Sequence, residues 1–333
     1  MEEKLRIGGV SVENPLFLAP LAGVSVSAVR RFFRRLGVGL THTEMISSTG
    51  LIYGGSKTLH MTEYTPEEQP LVIQFFDGDP ERLCRSAEFC LRRCDYAALS
   101  VNMACPMPKI THRGAGSRLL QTPEIAKEMV RRLKSLGVPV WPKIRKIIPD
   151  GKNYPLNTLK FAEELFEAGA DTVTIHGRTS QQRYSGCADK DEVIAVARRF
   201  PGRIIASGDV MTGEDAQYYL KNGCAAVLAA RGAVANPLMV VQTLRLLGYN
   251  NKSIADDPSL EERAEMLRNF ADELYRYHSE RVALVLLKRF LPGFFRGKAG
   301  TANFKRALAT AQGWQASYAI LCGWQSYFER GMA

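Results

Sequence analysis

The stretch of this chain best equipped for chemistry is Asn102-Met103-Ala104-Cys105-Pro106-Met107-Pro108-Lys109, with Gly114-Ala115-Gly116 close behind. The apolar run before it, 96–101, reads as a buried parallel strand. A strand that runs into a thiol, prolines and glycines sets Cys105 at the carboxyl edge of a sheet, where α/β folds bind ligands. With a cofactor there Cys105 is a reaction-centre residue; without one it is a packing residue.

The ends of the other apolar runs carry Pro20-Leu21-Ala22, Glu44, Gln74, Lys143, Arg145, His176, Arg178, Ser207-Gly208-Asp209 and Ala230-Arg231-Gly232. They supply donors, cations and glycines, but too few carboxylates for a paired acid–base hydrolase. The last two segments close neighbouring units, where barrels hold phosphate on backbone N–H groups; a plain glycine turn is the alternative. Lys143 either reaches to solvent or sets its ammonium beside a ring that gathers negative charge, such as the N1–C2 edge of a reduced flavin. His176 and Gln74 either face a heterocycle or bond to neighbouring strands.

Eight apolar runs must position these residues: 16–19, 40–45, 71–76, 96–101, 138–144, 172–176, 203–207 and 225–230. Their spacing, roughly 25 to 35 residues, is one β/α unit. Thr122-Pro123-Glu124 and Thr212-Gly213-Glu214-Asp215 open two intervening helices, closed near Gly137 and Gly223. The expected fold is an α/β (β/α)₈ TIM barrel over 1–249. An open doubly wound sheet would need a G-x-G-x-x-G after its first strand, and Pro20-Leu21-Ala22-Gly23 is not one. From 250 to 333 the pattern is helical, with helices expected at 260–277, 281–290, 302–312 and 315–327, forming a small domain beside the barrel mouth.

Composition sets outer bounds. The chain has 333 residues, 46% apolar and 23% charged, as an ordinary soluble enzyme does. No apolar run is long enough to span a bilayer, and MEEKLRIGG does not read as a signal peptide, so a cytoplasmic location is expected. Seven cysteines point to free thiols in a reducing compartment. No Cys-x-x-Cys occurs and the five histidines are scattered, so no metal is expected, even at Cys90 and Cys94. The net charge of +10 favours a polyanionic partner. Between Arg281 and Phe328 there is no acid, while Arg281, Lys288, Arg289, Arg296, Lys298, Lys305 and Arg306 interleave with Phe290, Phe294, Phe295 and Phe304. Such a stretch is expected to contact nucleic acid, with some of the phenylalanines in the core.

In ordered detail the chain resembles the tRNA-dihydrouridine synthases, FMN-dependent enzymes that reduce uridine in RNA. The matching residues are Ala19-Pro20-Leu21-Ala22-Gly23, Thr43-Glu44-Met45, Gln69-Pro70 with Gln74, and Asn102 to Pro106 with Lys109. Gly114-Ala115-Gly116, Lys143-Ile144-Arg145, His176-Gly177-Arg178-Thr179, Gln182 to Asp189, Ser207-Gly208-Asp209-Val210 and Arg231-Gly232-Ala233 with Asn236-Pro237 continue it. The resemblance implies FMN over the barrel mouth, lined by Pro20, Leu21 and Ala22 and met by Gln74, Lys143 and His176. Ser207, Gly208, Asp209, Ala230 and Arg231 would hold its phosphate end. Asn102, Lys109, Arg145 and Arg178 would contact a flipped-out uracil. Hydride would pass from flavin N5 to C6 while Cys105, as a neutral thiol, protonates C5; NADPH is the implied reductant and tRNA the implied partner of a monomer.

The chain departs from the family pattern at Ala104 and Ala230, where glycines are usual, at Ser207 for an asparagine, and at Val26-Ser27 for an acidic pair. A Cβ close to phosphate is expected to weaken FMN binding. Two other readings stay open: a small-molecule flavin reductase of the dihydroorotate dehydrogenase type, and a non-catalytic RNA-binding protein.

Overall fold

A computed structural model describes residues 5–249, 254–255 and 257–328. The expected domain boundary at 250 lies outside the described residues. The chain opens with a hairpin that sequence reading did not anticipate, β1 (Leu5–Ile7) and β2 (Val10–Val12), paired antiparallel. Its turn is Gly8-Gly9, at φ +50° and +85°, dihedrals that match the strand twist and favour glycine. A Cβ at Gly8 would lie 2.4 Å from Thr172 and 2.6 Å from the Trp141 indole nitrogen, so the turn is seated directly on the barrel floor.

Eight parallel strands then form the barrel: β3 (Leu16–Leu18), β4 (Thr41–Ser47), β5 (Leu71–Phe76), β6 (Ala98–Met103), β7 (Lys143–Arg145), β8 (Val173–His176), β9 (Ile204–Ser207) and β10 (Ala226–Ala229). They are ordered β3-β10-β9-β8-β7-β6-β5-β4. The Leu18 N–H donates to Leu40 O at 2.9 Å, and a parallel bridge joins Phe17 to Leu40, closing β4 onto β3. Each strand expected from the apolar runs is present, shifted by a few residues at its ends.

The helices between strands bury one apolar face each. Helix Gly213–Lys221 starts with a capping box in which the Asp215 N–H donates to Thr212 and Asp215 accepts in return. Helix Pro123–Lys134 starts where expected, but Thr122 makes no side-chain cap bond there.

Inside the barrel the residues divide by height. Phe17, Leu40, Val72, Ala98, Trp141, Ile205, Ala226 and Leu228 pack with Ile7, Val10 and Val12 of the hairpin into one apolar plug. Trp141 donates its indole N–H to Gly8 O at 3.1 Å. Two residues further along several strands, on the same inward face, the side chains become polar: His42, Gln74, Ser100, Lys143, Thr174 and Ser207, all buried. The apolar plug fixes the strands, and the polar layer above it forms the floor of the mouth.

The C-terminal helices are Leu260–Tyr277, Glu280–Phe294, Thr301–Thr310, Gly313–Cys322 and Gln325–Phe328. Sequence reading joined the last two, which Gly323-Trp324 separates. They pack on barrel helix Ser27–Leu36, with Phe32 4.7 Å from Phe270 and 5.4 Å from Phe294 between ring centroids. Arg35 reaches Glu273 at 2.6 Å beside this aromatic cluster. Phe290, Phe294, Phe295 and Phe304 are all fully buried, so none can stack on a base. The charges the segment shows to solvent are all positive: Arg281, Arg289, Arg296, Lys305 and Arg306 are exposed, with Val282 and Val285 beside the first two.

Candidate active site

The Cys105 loop is built by a chain of hydrogen bonds across neighbouring strands. Gln74 on β5 donates to Ser100 Oγ at 3.1 Å, and Asn102 on β6 donates to Gln74 Oε1 at 2.8 Å. Asn102 Oδ1 then accepts the backbone N–H groups of Ala104 and Cys105 at 3.1 and 2.8 Å. This Asx-type turn folds the chain back at the end of β6 and holds Cys105 half-buried at the carboxyl edge of the barrel. From the other side, Ser117 N–H donates to Cys105 O at 2.9 Å. Gly116 permits that contact: its φ is +60°, and a Cβ there would stand 2.5 Å from Cys105 O. Burial pushes the Cys105 thiol above its ordinary 9, with Met107 N–H and Arg145 pulling the other way, so the group is a protonated thiol at neutral pH.

Lys143 on β7 pairs in register with Asn102 on β6, which brings the ammonium beside the Cys105 loop. It is buried and donates to Ser207 Oγ at 3.3 Å, and no carboxylate contacts it among the described residues. Burial, with Arg145 nearby, lowers it from 10.5 to about 7. His176 ends β8; its Nδ1 accepts Arg178 N–H at 3.1 Å, which leaves Nε2 as the protonated nitrogen. Burial and the surrounding Lys143, Arg145 and Arg178 cations push His176 far below its ordinary value, so it is a neutral donor.

Arg178, expected at the substrate, sits 3% exposed with its guanidinium engaged by protein. It grips Asp209 through two bonds of 2.8 and 2.7 Å and donates to Ser185 O and Gly186 O. Asp209, at φ +50°, also accepts Ala188 N–H and Arg231 Nη2, both at 2.8 Å. Burial alone would raise the Asp209 carboxyl, but Arg178, Ala188 N–H and Arg231 hold it below its ordinary value. The result is a clasp that fixes the loops after β8, β9 and β10 together.

Arg145 is likewise engaged. It donates to Ala104 O at 2.6 Å, Thr179 O at 3.0 Å and Arg183 O at 2.8 Å, tying the Cys105 loop to the loop after β8. Pro20, Leu21 and Ala22 follow β3 and are partly to fully exposed at the rim, where Gly23 N–H meets Glu44 at 2.5 Å. Lys109 lies on the short helix Pro108–Thr111, exposed and away from the polar layer. Ser207, Gly208, Ala230 and Arg231 gather where β9 and β10 end.

Two residues given no role from sequence belong to this site. His42 on β4 lies in the polar layer, donating Nδ1–H to Leu18 O at 2.8 Å, and burial lowers it to about 4. Tyr184 is 60% exposed and lies under both Arg145 and Arg231, at 5.7 and 5.1 Å from its ring. The alternation His42–Glu44 along β4 carried the signal for the first. Neither Ala104 nor Ala230 has a positive φ, and Ala230, at φ −131° and ψ −104°, lies outside the regular helical and extended regions. Ser207 turns its hydroxyl to Lys143.

Among the described residues no cluster of three or more His, Cys, Asp or Glu could hold a metal ion, and no helix is long and apolar enough to cross a membrane. The mouth therefore offers a neutral proton donor, a buried lysine without a counter-ion, a neutral histidine donor and an arginine-rimmed loop cluster.

The dihydrouridine synthase (Dus) family model matches residues 17–324. The chain is 29% identical over 309 residues to tRNA-dihydrouridine synthase B of Pasteurella multocida, covering 91% of this chain and 90% of that protein. It is 30% identical over 308 residues to a probable tRNA-dihydrouridine synthase 1 of Synechocystis, covering 91% and 84%. Among solved structures it resembles morphinone reductase in complex with tetrahydroNAD (TM-score 0.52, 14% identity, 75% of this chain and 91% of that one). A DHODH of Eimeria tenella in complex with ferulenol is similar (TM-score 0.52, 14% identity, 74% and 86%). At that identity the structural matches speak for the barrel fold alone.

Proposed function

The chain belongs to the dihydrouridine synthase family, and from that premise we propose that it reduces uridine to 5,6-dihydrouridine in tRNA, with FMN at the barrel mouth and NADPH as reductant. The observation that carries this reading is the pairing, on adjacent strand ends, of a buried lysine without a carboxylate and a thiol held in its protonated form. A cation left without a counter-ion suits a ring that gains negative charge.

The residues present fit FMN. Lys143, Gln74 and the His176 Nε2–H offer donors across the polar floor, and the loops at Ser207-Gly208-Asp209 and Ala230-Arg231 offer backbone N–H groups and a guanidinium to a phosphate. Bound there, FMN would supply hydride to C6 of the uracil.

The chain's own part is to place the base and move a proton. A uracil must leave the RNA stack to lie flat in the mouth. Asn102, whose amide already meets Gln74 and the Ala104 and Cys105 N–H groups, shapes the loop that receives it, and Lys109, exposed outside the polar layer, is proposed to meet the RNA around the base. Cys105 delivers the thiol proton to C5. A protonated donor is present across neutral pH because burial keeps the thiolate unfavourable. Lys143 stabilises the negative charge that reduction places opposite it. Arg145 and Arg178 act through the loops they tie, because their donors already meet carbonyls and Asp209.

The test is incubation of purified enzyme with NADPH and tRNA lacking modifications, followed by digestion and mass analysis of nucleosides. A uridine that gains two mass units supports the proposal. Reduction of free pyrimidines without any reduction of tRNA would favour the small-molecule reading instead.

A further inference from the structure

Outside the polar layer, but touching the same loop, lies a second cavity of about 390 Å³. Pro106, Ser117, Tyr154, Ser180, Gln181, Arg183 and their neighbours line it. It shares a wall with the reaction centre, since Pro106 follows Cys105, yet Asn102, Lys143 and His176 are absent from it. Its volume falls in the range of small-ligand sites.

The lining is chemically selective. It consists of hydroxyls and carboxamides with one cation, Arg183, and contains no carboxylate and little apolar surface. That combination donates and accepts hydrogen bonds beside one positive charge, which suits a nucleoside unit and its phosphodiester. Ser180 Oγ is buried with no hydrogen-bond partner, a cost that a bound polar group would remove. Arg183 sits at φ +51°, a strained conformation for a side chain of its size, held by the bond from Arg145 to its carbonyl. Gln181 meets Tyr154 OH at 3.4 Å across the space.

We propose that this cavity binds the nucleotide adjoining the uridine that is reduced, making the 180–185 loop a determinant of which uridine the enzyme accepts. The inference rests on the RNA-reductase reading above. It adds a second subsite: one nucleotide lies in the mouth, and its neighbour in the chain enters the cavity on the far side of Pro106. Arg145 couples the two, because one guanidinium ties the carbonyls of Ala104, Thr179 and Arg183.

The experiment uses the full chain loaded with flavin and tRNA transcripts. The reduced uridine is first located in the intact transcript; if no uridine is reduced, the RNA-reductase reading itself has failed and the subsite falls with it. Transcripts carrying an abasic residue on the 5′ or the 3′ side of that uridine are then compared with the intact one. One of the two should raise KM roughly tenfold with a smaller effect on kcat. Ser180→Val, which replaces the unpartnered hydroxyl by apolar bulk in the cavity wall, should lose about the same factor on intact RNA and lose nothing further on the abasic transcript. Gln181→Ala provides the same comparison should the valine variant misfold, with flavin content reporting folding. Equal KM for all three transcripts would overturn the proposal, as would losses from variant and abasic residue that multiply. A variant that changes the KM for NADPH, with RNA dependence untouched, would assign the cavity to the reductant and overturn it equally.

Discussion

Replacing Lys143 by methionine removes a charge that the folded barrel holds at a cost. Burial lowers this lysine from 10.5 to about 7, and at about 1.4 kcal/mol per pH unit the cost of keeping it charged is about 5 kcal/mol. The sign follows from proton counting. Below pH 7 both folded and unfolded chains carry the proton, so the penalty is present in full. Between pH 7 and 10.5 the unfolded chain binds a proton that the folded chain lacks, so the wild type gains stability as pH rises. Flavin-free Lys143→Met should therefore be more stable than wild type at pH 7, by about 2–5 kcal/mol, and the gap should close towards pH 10.5. Urea unfolding of both proteins across that range measures it, and taking the difference between them cancels other groups that titrate there. The same variant should bind FMN at least tenfold more weakly, because the ring loses its cation. Parallel pH–stability curves, or a variant less stable at pH 7, would refute a desolvated, unpaired lysine.

Three further outcomes are expected. Cys105→Ala should keep its flavin and its reduction by NADPH but lose at least a hundredfold in dihydrouridine formation, and wild-type turnover should not fall through thiol ionisation below pH 9. Phe32→Ala opens a hole among Phe270 and Phe294 and should cost about 3–5 kcal/mol, read as a lower urea midpoint at unchanged slope. Arg289→Glu with Lys305→Glu should weaken tRNA binding and flatten its dependence on log salt by about two or more, with flavin content unchanged.

Eight strands and the mouth residues could be read from sequence because buried parallel strands are near-continuous apolar runs, and their carboxyl ends are where polar residues then cluster. The β1–β2 hairpin escaped because its strands, Leu-Arg-Ile and Val-Ser-Val, alternate over only three residues and form no continuous apolar run; its Gly8-Gly9 turn was the available signal. What a side chain does with its donors was not readable either. Arg145 and Arg178 look like substrate contacts by type and position, yet both are engaged by carbonyls and Asp209, which only the folded loops bring near. The same holds for the interleaved phenylalanines. Their spacing along helix Glu280–Phe294 puts Phe290 and Phe294 on the face that meets Phe32 and Phe33, which leaves Arg281 and Arg289 outside with Val282 and Val285. At the glycine-to-alanine departures neither position uses the left-handed region, so the backbone does not call for glycine there, and the expected cost of a Cβ beside phosphate is a matter for FMN binding measurements.

The central claim is that a flavin in this mouth reduces a base in RNA, and anaerobic flavin absorbance tests it most directly. Enzyme carrying FMN, bleached with one equivalent of NADPH, is mixed with tRNA lacking modifications. Return of the oxidised flavin spectrum faster with tRNA than without it, in step with dihydrouridine formed, is the predicted result. A flavin that stays reduced with tRNA but is reoxidised by a free pyrimidine would contradict the account.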